Sequence, residues 1–227
     1  MNQPLFIIFF FLQIILIYFL SRATINNLFR LLRAFLKSDH LVFSLISIIF
    51  FPGTVVHELA HFFTAMVLFL RVHSLNIFPK WEGNEIKLGT VLYEKKDFVR
   101  GVLVGIAPIF SGIFFLWAIA ALNIFPSDNI FLNLLIIYLI FTVSSMMFSS
   151  KRDLIDLIYI LPFIVIFYGF IYIFDIKLDF IIRNQPLENA LLNFLKQVNI
   201  YLFLSVSLNL ILLLLFYLFK NIFLKRR

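Results

Sequence analysis

The sequence contains no cysteine. This absence excludes a disulfide framework and thiolate chemistry. Any metal ion that the chain binds must therefore be held by imidazole nitrogens and carboxylate oxygens. Those groups are scarce as well, because the 227 residues include only four histidines and 12 acidic residues. A place where several of them meet is correspondingly informative.

Charged residues of either sign are also few. They make up 14% of the chain, and 63% of the residues are hydrophobic, whereas a soluble domain has about 25% charged residues. This composition predicts a polytopic membrane protein that has the lipid bilayer as its surroundings. The net charge of +7 is spread over loops that can contact anionic headgroups. Because no basic domain could hold a duplex, we expect no nucleic-acid partner.

Six apolar segments have about the length that a bilayer core requires, roughly 20 residues of helix. They cover residues 4–20, 41–70, 98–122, 129–148, 154–174 and 200–219. The first lacks a basic leader and a small-residue cleavage site, so we interpret it as a span and not as a removable signal peptide. The second is too long for one straight crossing, and Pro52-Gly53 offers a break.

The predicted fold is an all-α polytopic membrane protein of about six transmembrane helices, with a small β-hairpin between the second and third spans. The hairpin is predicted over residues 72–97, from the Gly83-Asn84 turn signal and the strand pattern of 86–93. Polar residues at helical spacing predict a basic amphipathic helix on the membrane surface over residues 22–37. Residues 175–199 are predicted to form a polar loop.

These elements divide the chain into three units. Residues 1–40 hold the first span and the surface helix, 41–155 hold three spans and the hairpin, and 156–227 hold two spans and a basic tail.

The basic residues predict an orientation. Six of them flank the hairpin, two follow the fourth span and four close the chain. Cytoplasmic loops carry an excess of Lys and Arg, so these segments are predicted to be cytoplasmic. We expect a multi-pass protein of the bacterial cytoplasmic membrane with both termini in the cytoplasm. The four basic residues in 22–37 then lie on the opposite side, against the same rule.

The second apolar segment contains His57-Glu58-Leu59-Ala60-His61, an H-E-x-x-H pattern. Two imidazoles at i and i+4 share one face of a helix and can hold one metal ion. Glu58 can then deprotonate a water held beside that ion. Chance should produce the pattern in well under ~1% of chains of this length. Ionisable residues are costly in an apolar span, so the pattern predicts a functional site.

A catalytic zinc site usually has three protein ligands, so another residue must complete this one. His40 and His73 have the right chemistry but fall at span ends, where we interpret them as interfacial residues. Asp153 and Asp156 share the predicted cytoplasmic side with the histidine pair. A surface ion pair between Asp153 and its basic neighbours is the alternative interpretation.

The order of these features resembles the site-2 protease family of intramembrane zinc metalloproteases. In that family an H-E-x-x-H helix precedes a β-rich segment, a Gly-Pro-rich motif on the next span and an N-x-x-P-x-x-x-L-D-G motif on the following span. Here residues 57–61 precede the hairpin 72–97, then Gly105-Ile106-Ala107-Pro108, then a stretch ending at Asp153. The resemblance covers about residues 50–155, and no PDZ-like domain is present.

The third motif is only partly retained. Asp153 matches its Asp, and four other positions differ: Ser145 replaces the family Asn, Phe148 the Pro, Arg152 the Leu and Leu154 the Gly.

The resemblance implies an intramembrane metalloendopeptidase that cleaves transmembrane protein substrates in regulated intramembrane proteolysis. It implies one Zn²⁺ held by His57, His61 and Asp153, with Asp156 as the alternative third ligand and Glu58 as general base. An extended substrate could pair with the hairpin edge at 86–93. The weakened third motif leaves an alternative, a non-catalytic metal-binding membrane protein or transporter. A purely structural scaffold leaves residues 57–61 unexplained.

Overall fold

The computed structural model of the chain describes residues 3–82, 85–148 and 185–220. The helices of this part are α1 (Gln3–Phe35), α2 (Asp39–Ile49), α3 (Phe51–Val67), α4 (Phe98–Ala121), α5 (Ile130–Met146) and α6 (Gln185–Phe219). Its strands are β1 (Val72–Asn76), β2 (Lys80–Glu82), β3 (Glu85–Lys87) and β4 (Thr90–Tyr93).

The described helices have the length and composition of a membrane protein. Helices α1, α4 and α6 are each long and apolar enough to cross a bilayer, and the bent pair α2–α3 makes a fourth candidate if it counts as one span. Helix α5 is apolar but shorter, with 17 residues. The mostly helical architecture is as predicted. The number of six spans stays a prediction, because the fifth segment, 154–174, lies outside the described residues.

Helix α1 is continuous over 33 residues, or about 50 Å. The prediction of a separate surface helix over 22–37 therefore differs from the structure, where this basic segment is the second half of α1. Its apolar stripe packs against α2, with Leu28 and Leu32 beside Val42 and Ile46. An amphipathic pattern shows only that one face is covered, and here a neighbouring helix covers it.

Helices α1 and α6 pack side by side and run parallel. The earlier parts of both helices meet where the side-chain amide of Asn199 donates to the carbonyl of Phe6 at 3.0 Å. Their ends meet where the rings of Phe35 and Phe219 lie 6.0 Å apart. If both helices cross the membrane, parallel packing puts the Gln3 end of α1 and the Phe219 end of α6 on opposite sides. The prediction that both termini are cytoplasmic requires antiparallel first and last spans and is inconsistent with this packing.

Helix α6 begins at Gln185, so the prediction of a polar loop is wrong for residues 185–199. Pro186 is tolerated in the first turn, where a helix has no partner for the missing N–H. Leu195, Val198 and Leu202 are buried at helical spacing, while Lys196 is exposed. The polar residues between them mask this stripe in the sequence. Residues 175–184 lie outside the described part.

The second predicted span is broken where the sequence predicts. Helices α2 and α3 meet at a bend of 74°, and α3 begins with Pro52 in its first turn. Gly53 then lets α5 approach closely, because a Cβ at this position would lie 2.2 Å from the carbonyl oxygen of Thr142. On the other side of the break, the hydroxyl of Tyr138 donates to the carbonyl of Ile49 at 2.8 Å.

Helix α3 ends in a left-handed turn that sends the chain into the hairpin. Phe69 has a φ of 55°. The N–H groups of Phe69 and Leu70 donate to the carbonyls of Met66 and Ala65, which is the Schellman arrangement usually completed by glycine. The helix end lies six residues after His61, or about 9 Å along the axis.

The predicted hairpin is present in the structure. Strands β1 and β4 pair antiparallel, and so do β2 and β3. The strand predicted over 86–93 is interrupted at Leu88 and Gly89, which belong to neither ladder. Leu88 instead packs against the cluster that α1 and α2 form with Phe50 and Met146. The predicted turn at 83–84 lies outside the described residues.

Candidate metal centre

The rings of His57 and His61 converge on one face of α3. Their Nε2 atoms lie 3.1 Å apart. Two nitrogens bound to one tetrahedral zinc ion, each at the usual bond length, are separated by about 3.3 Å. His57 is 4% exposed and His61 is half-buried. The pair thus has the spacing of two ligands of one ion, as the i, i+4 pattern predicts.

Each ring is held from behind by a backbone carbonyl of another helix. Nδ1 of His57 lies 2.8 Å from the carbonyl oxygen of Met146 at the end of α5. Nδ1 of His61 lies 2.8 Å from the carbonyl oxygen of Val104 in α4. A carbonyl can only accept, so both Nδ1 atoms carry the hydrogen, and in a neutral ring the Nε2 atom is then left with its lone pair. This is how metal-binding histidines are commonly oriented.

The facing lone pairs have an electrostatic consequence. Two acceptors at 3.1 Å repel each other unless a cation lies between them. A metal ion bound by both rings, or a proton shared between them, would remove this repulsion. The donor set, two oriented imidazoles in a chain without thiols, fits zinc.

Close contacts between helices place the carbonyls of Met146 and Val104 behind the histidine rings. Gly53 lies one turn before His57 on α3 and admits the backbone of α5. Gly112 of α4 leaves room for the side chain of Met147, the residue after α5, because a Cβ there would lie 2.5 Å from that side chain. Both glycines therefore act through the space that they leave for α5 and its end, and not through turn geometry. They bring α3, α4 and α5 together around the histidine pair.

Glu58 is 5% exposed and lies against the hairpin. A Cβ on Gly89 would lie 2.5 Å from Cγ and 2.7 Å from Oε1 of Glu58. The link between β3 and β4 therefore covers this side chain, and only glycine fits there without displacing it. This contact was not predicted from the sequence. The available signal was a glycine that interrupts a strand pattern, which often marks a close approach of the backbone.

The predicted third ligands cannot be placed beside the pair. Asp153 and Asp156 both lie outside the described residues. His40 and His73 are exposed, in contrast to the buried His57. Within the ranges that the structure describes, no three His, Cys, Asp or Glu side chains are grouped to hold a metal ion. The third ligand and zinc itself stay predictions.

An apolar cavity of about 430 Å³ lies between α2 and the hairpin. Its lining residues belong to α2, the start of α3 and the segment before β2, and they are Ser44, Ser47, Ile48, Phe51, Phe78 and Pro79.

The fold and the site define a class: a helical membrane protein with a convergent histidine pair on the second half of a broken apolar segment. No family model, curated protein or solved structure matches the chain. Assignment of an activity therefore depends on the geometry of the site.

Proposed function

We propose that the chain is an intramembrane zinc metalloprotease of the site-2 protease type. It would hydrolyse peptide bonds within or near the transmembrane segments of membrane protein substrates. The observation that carries this proposal is the convergence of the His57 and His61 Nε2 atoms at 3.1 Å, each ring fixed by a backbone carbonyl. Glu58, the neighbour of His57, supplies a buried carboxylate in a chain with few such groups.

Each site residue has a separate role in the proposed hydrolysis. His57 and His61 hold the zinc ion, and Asp153 completes the protein ligands, with Asp156 as the alternative. Bound zinc supplies Lewis acidity to the scissile carbonyl and lowers the pKa of water. Glu58 accepts a proton from the water that adds to the carbonyl carbon. It then gives this proton to the amine nitrogen as the C–N bond breaks.

The hairpin offers a place for the substrate. Strand β4 is an edge of the described β1–β4 sheet, and its neighbour Gly89 lies against Glu58. An unwound substrate segment that pairs with such an edge is held extended by main-chain hydrogen bonds. The apolar cavity between α2 and the hairpin would accommodate hydrophobic side chains of the same segment.

We propose further that the hairpin side of the molecule is cytoplasmic. Leu28 and Leu32, in the basic half of α1, pack in the same cluster as Leu88 of the hairpin. Parallel packing of α1 and α6 brings Lys220 to this side as well, through the contact of Phe35 with Phe219. The basic half of α1, the basic residues around the hairpin and Lys220 then lie on one side, as the positive-inside rule requires. The Gln3 end of α1 faces the opposite side.

Glu58→Gln tests the enzymatic proposal. The amide keeps the size of the side chain but cannot accept the proton, so the variant should bind one zinc ion per chain and lose cleavage by about 10²-fold or more. The assay reconstitutes the purified protein in liposomes with a library of transmembrane peptides. Zinc content is measured by mass spectrometry and cleavage is measured from peptide products.

Two variants serve as controls. His61→Ala should lose both zinc and cleavage, while His73→Ala, which alters an exposed histidine of β1, should retain both. Cleavage by the Glu58→Gln protein at the unmodified rate would exclude this mechanism. Stoichiometric zinc without cleavage by the unmodified protein would favour the non-catalytic metal-binding alternative.

A further inference from the structure

The two carbonyls behind the histidine rings lie at positions that are special in their helices, one at a helix end and one before a proline. The carbonyl of Met146 is at the last residue of α5, where an α-helix leaves its carbonyls without intrahelical partners. The carbonyl of Val104 lies inside α4 and would normally accept from the N–H of residue 108. That residue is Pro108, which has no N–H.

A carbonyl without a donor is costly in this environment. Val104 is 0% exposed, so its carbonyl belongs to a part of α4 from which water is excluded. In an apolar helix each such group must find a partner within the protein. Nδ1–H of His61 at 2.8 Å provides it. Pro108 therefore creates the acceptor that His61 uses.

We propose that Pro108 is a positioning residue for the metal centre. By withholding an N–H from the Val104 carbonyl, it fixes the tautomer and ring orientation of His61 and leaves Nε2 as a lone-pair donor facing His57. This inference rests on the proposed metal site and deepens it. The proline of the 105–108 motif then controls the hydrogen bond and the tautomer of His61, in addition to any bend that it imposes on α4.

Pro108→Ala restores an N–H that competes with His61 for the Val104 carbonyl. His61 should lose its fixed tautomer, and zinc affinity should fall by about 10- to 100-fold, the usual effect of losing a group that orients a ligand. His57 should be unaffected, since its acceptor is the end of another helix. Nitrogen NMR of the labelled rings in zinc-free protein reports the tautomers, in a background where His40→Gln and His73→Gln remove the other two signals.

A backbone ester separates the missing N–H from the shape of the proline ring. L-lactic acid at position 108, introduced by nonsense suppression, has the side chain of alanine but no N–H. It should restore the His61 tautomer and zinc affinity that Pro108→Ala loses. The matched control is the same ester at position 107, which removes a neighbouring N–H and leaves the Val104 carbonyl unchanged.

Two results would overturn the proposal. One is an unchanged His61 tautomer and zinc affinity in the Pro108→Ala protein. The other is equal impairment by alanine and by the ester at position 108, which would assign the effect to ring packing or helix shape. The tautomer is read without zinc or substrate, so it decides the role of Pro108 even if the protein proves not to be a peptidase. Failure of Glu58→Gln to reduce cleavage would count against the enzymatic proposal alone.

Discussion

Gly53→Ala should disturb the metal centre although Gly53 is not one of the proposed ligands. The added Cβ would lie 2.2 Å from the carbonyl oxygen of Thr142, whereas ordinary contact begins at 3.4 Å. Because the obstacle is backbone, α3 and α5 must separate by about 1.2 Å. The hydrogen bond from His57 to the Met146 carbonyl, now 2.8 Å, would lengthen toward about 4 Å, beyond hydrogen-bond range.

Gly53→Ala changes the free energy of unfolding through three terms. Overpacking costs about 1–3 kcal/mol, and a lost hydrogen bond adds about 0.5–1.5 kcal/mol. Alanine returns up to about 1 kcal/mol through its higher helix propensity. The free energy of unfolding should therefore fall by about 0.5–4.5 kcal/mol in total. Zinc affinity should also fall, by about 10- to 100-fold, because His57 loses the group that orients it.

Gly101→Ala is the matched control. It makes the same change inside α4, but the nearest atoms to its Cβ belong to the Lys95 side chain at 3.5–3.7 Å. This variant should be neutral or more stable by up to about 1 kcal/mol. Unfolding is followed by SDS titration in micelles, and zinc affinity by competition with a chelating dye. Equal stability and equal zinc affinity of the two variants would refute the close approach of α3 and α5.

Two further predictions concern the hairpin and the orientation. Gly89→Ala should displace Glu58 and lower kcat by about 10²-fold with zinc content unchanged; wild-type turnover would show that the contact is not needed. The chain has no cysteine, so a single Cys at Gln3, Arg71 or Lys220 is a unique label site. An impermeant maleimide should reach positions 71 and 220 from one side of the membrane and position 3 from the other, and labelling of positions 3 and 220 from the same side would disprove the proposed orientation.

The sequence predicts the elements of this molecule better than their arrangement. The hairpin and the break at Pro52 follow from turn chemistry, which is local. The direction of α1 does not, because an amphipathic pattern at 22–37 is equally satisfied by a lipid surface and by α2. Because α2, and not the lipid surface, covers this apolar face, the proposed orientation of α1 in the membrane is the reverse of the predicted one. The start of α6 was missed for a related reason, since its buried stripe is interspersed with polar residues.

The candidate site also combines a feature that the sequence predicts with features that it does not. The pairing of His57 with His61 follows from helical periodicity alone. The groups behind the rings could not be predicted in this way, because they are main-chain carbonyls. Their residues, Val104 and Met146, have apolar side chains, which give no indication of a hydrogen bond to histidine. What the sequence does encode is the loss of one helical donor, because Pro108 has no N–H to give to the Val104 carbonyl.

Orientation of the histidine rings by backbone carbonyls suits a chain in which only 14% of residues are charged. A carboxylate behind each imidazole would add a buried charge, which is costly in an apolar helix. A carbonyl released from its helical bond orients the ring without that charge. The side chains at positions 104 and 146 should then tolerate other apolar residues, whereas position 108 should require the absence of an N–H. Selection at this site would thus act on backbone hydrogen bonding, and a search for polar residues around His57 and His61 would overlook it.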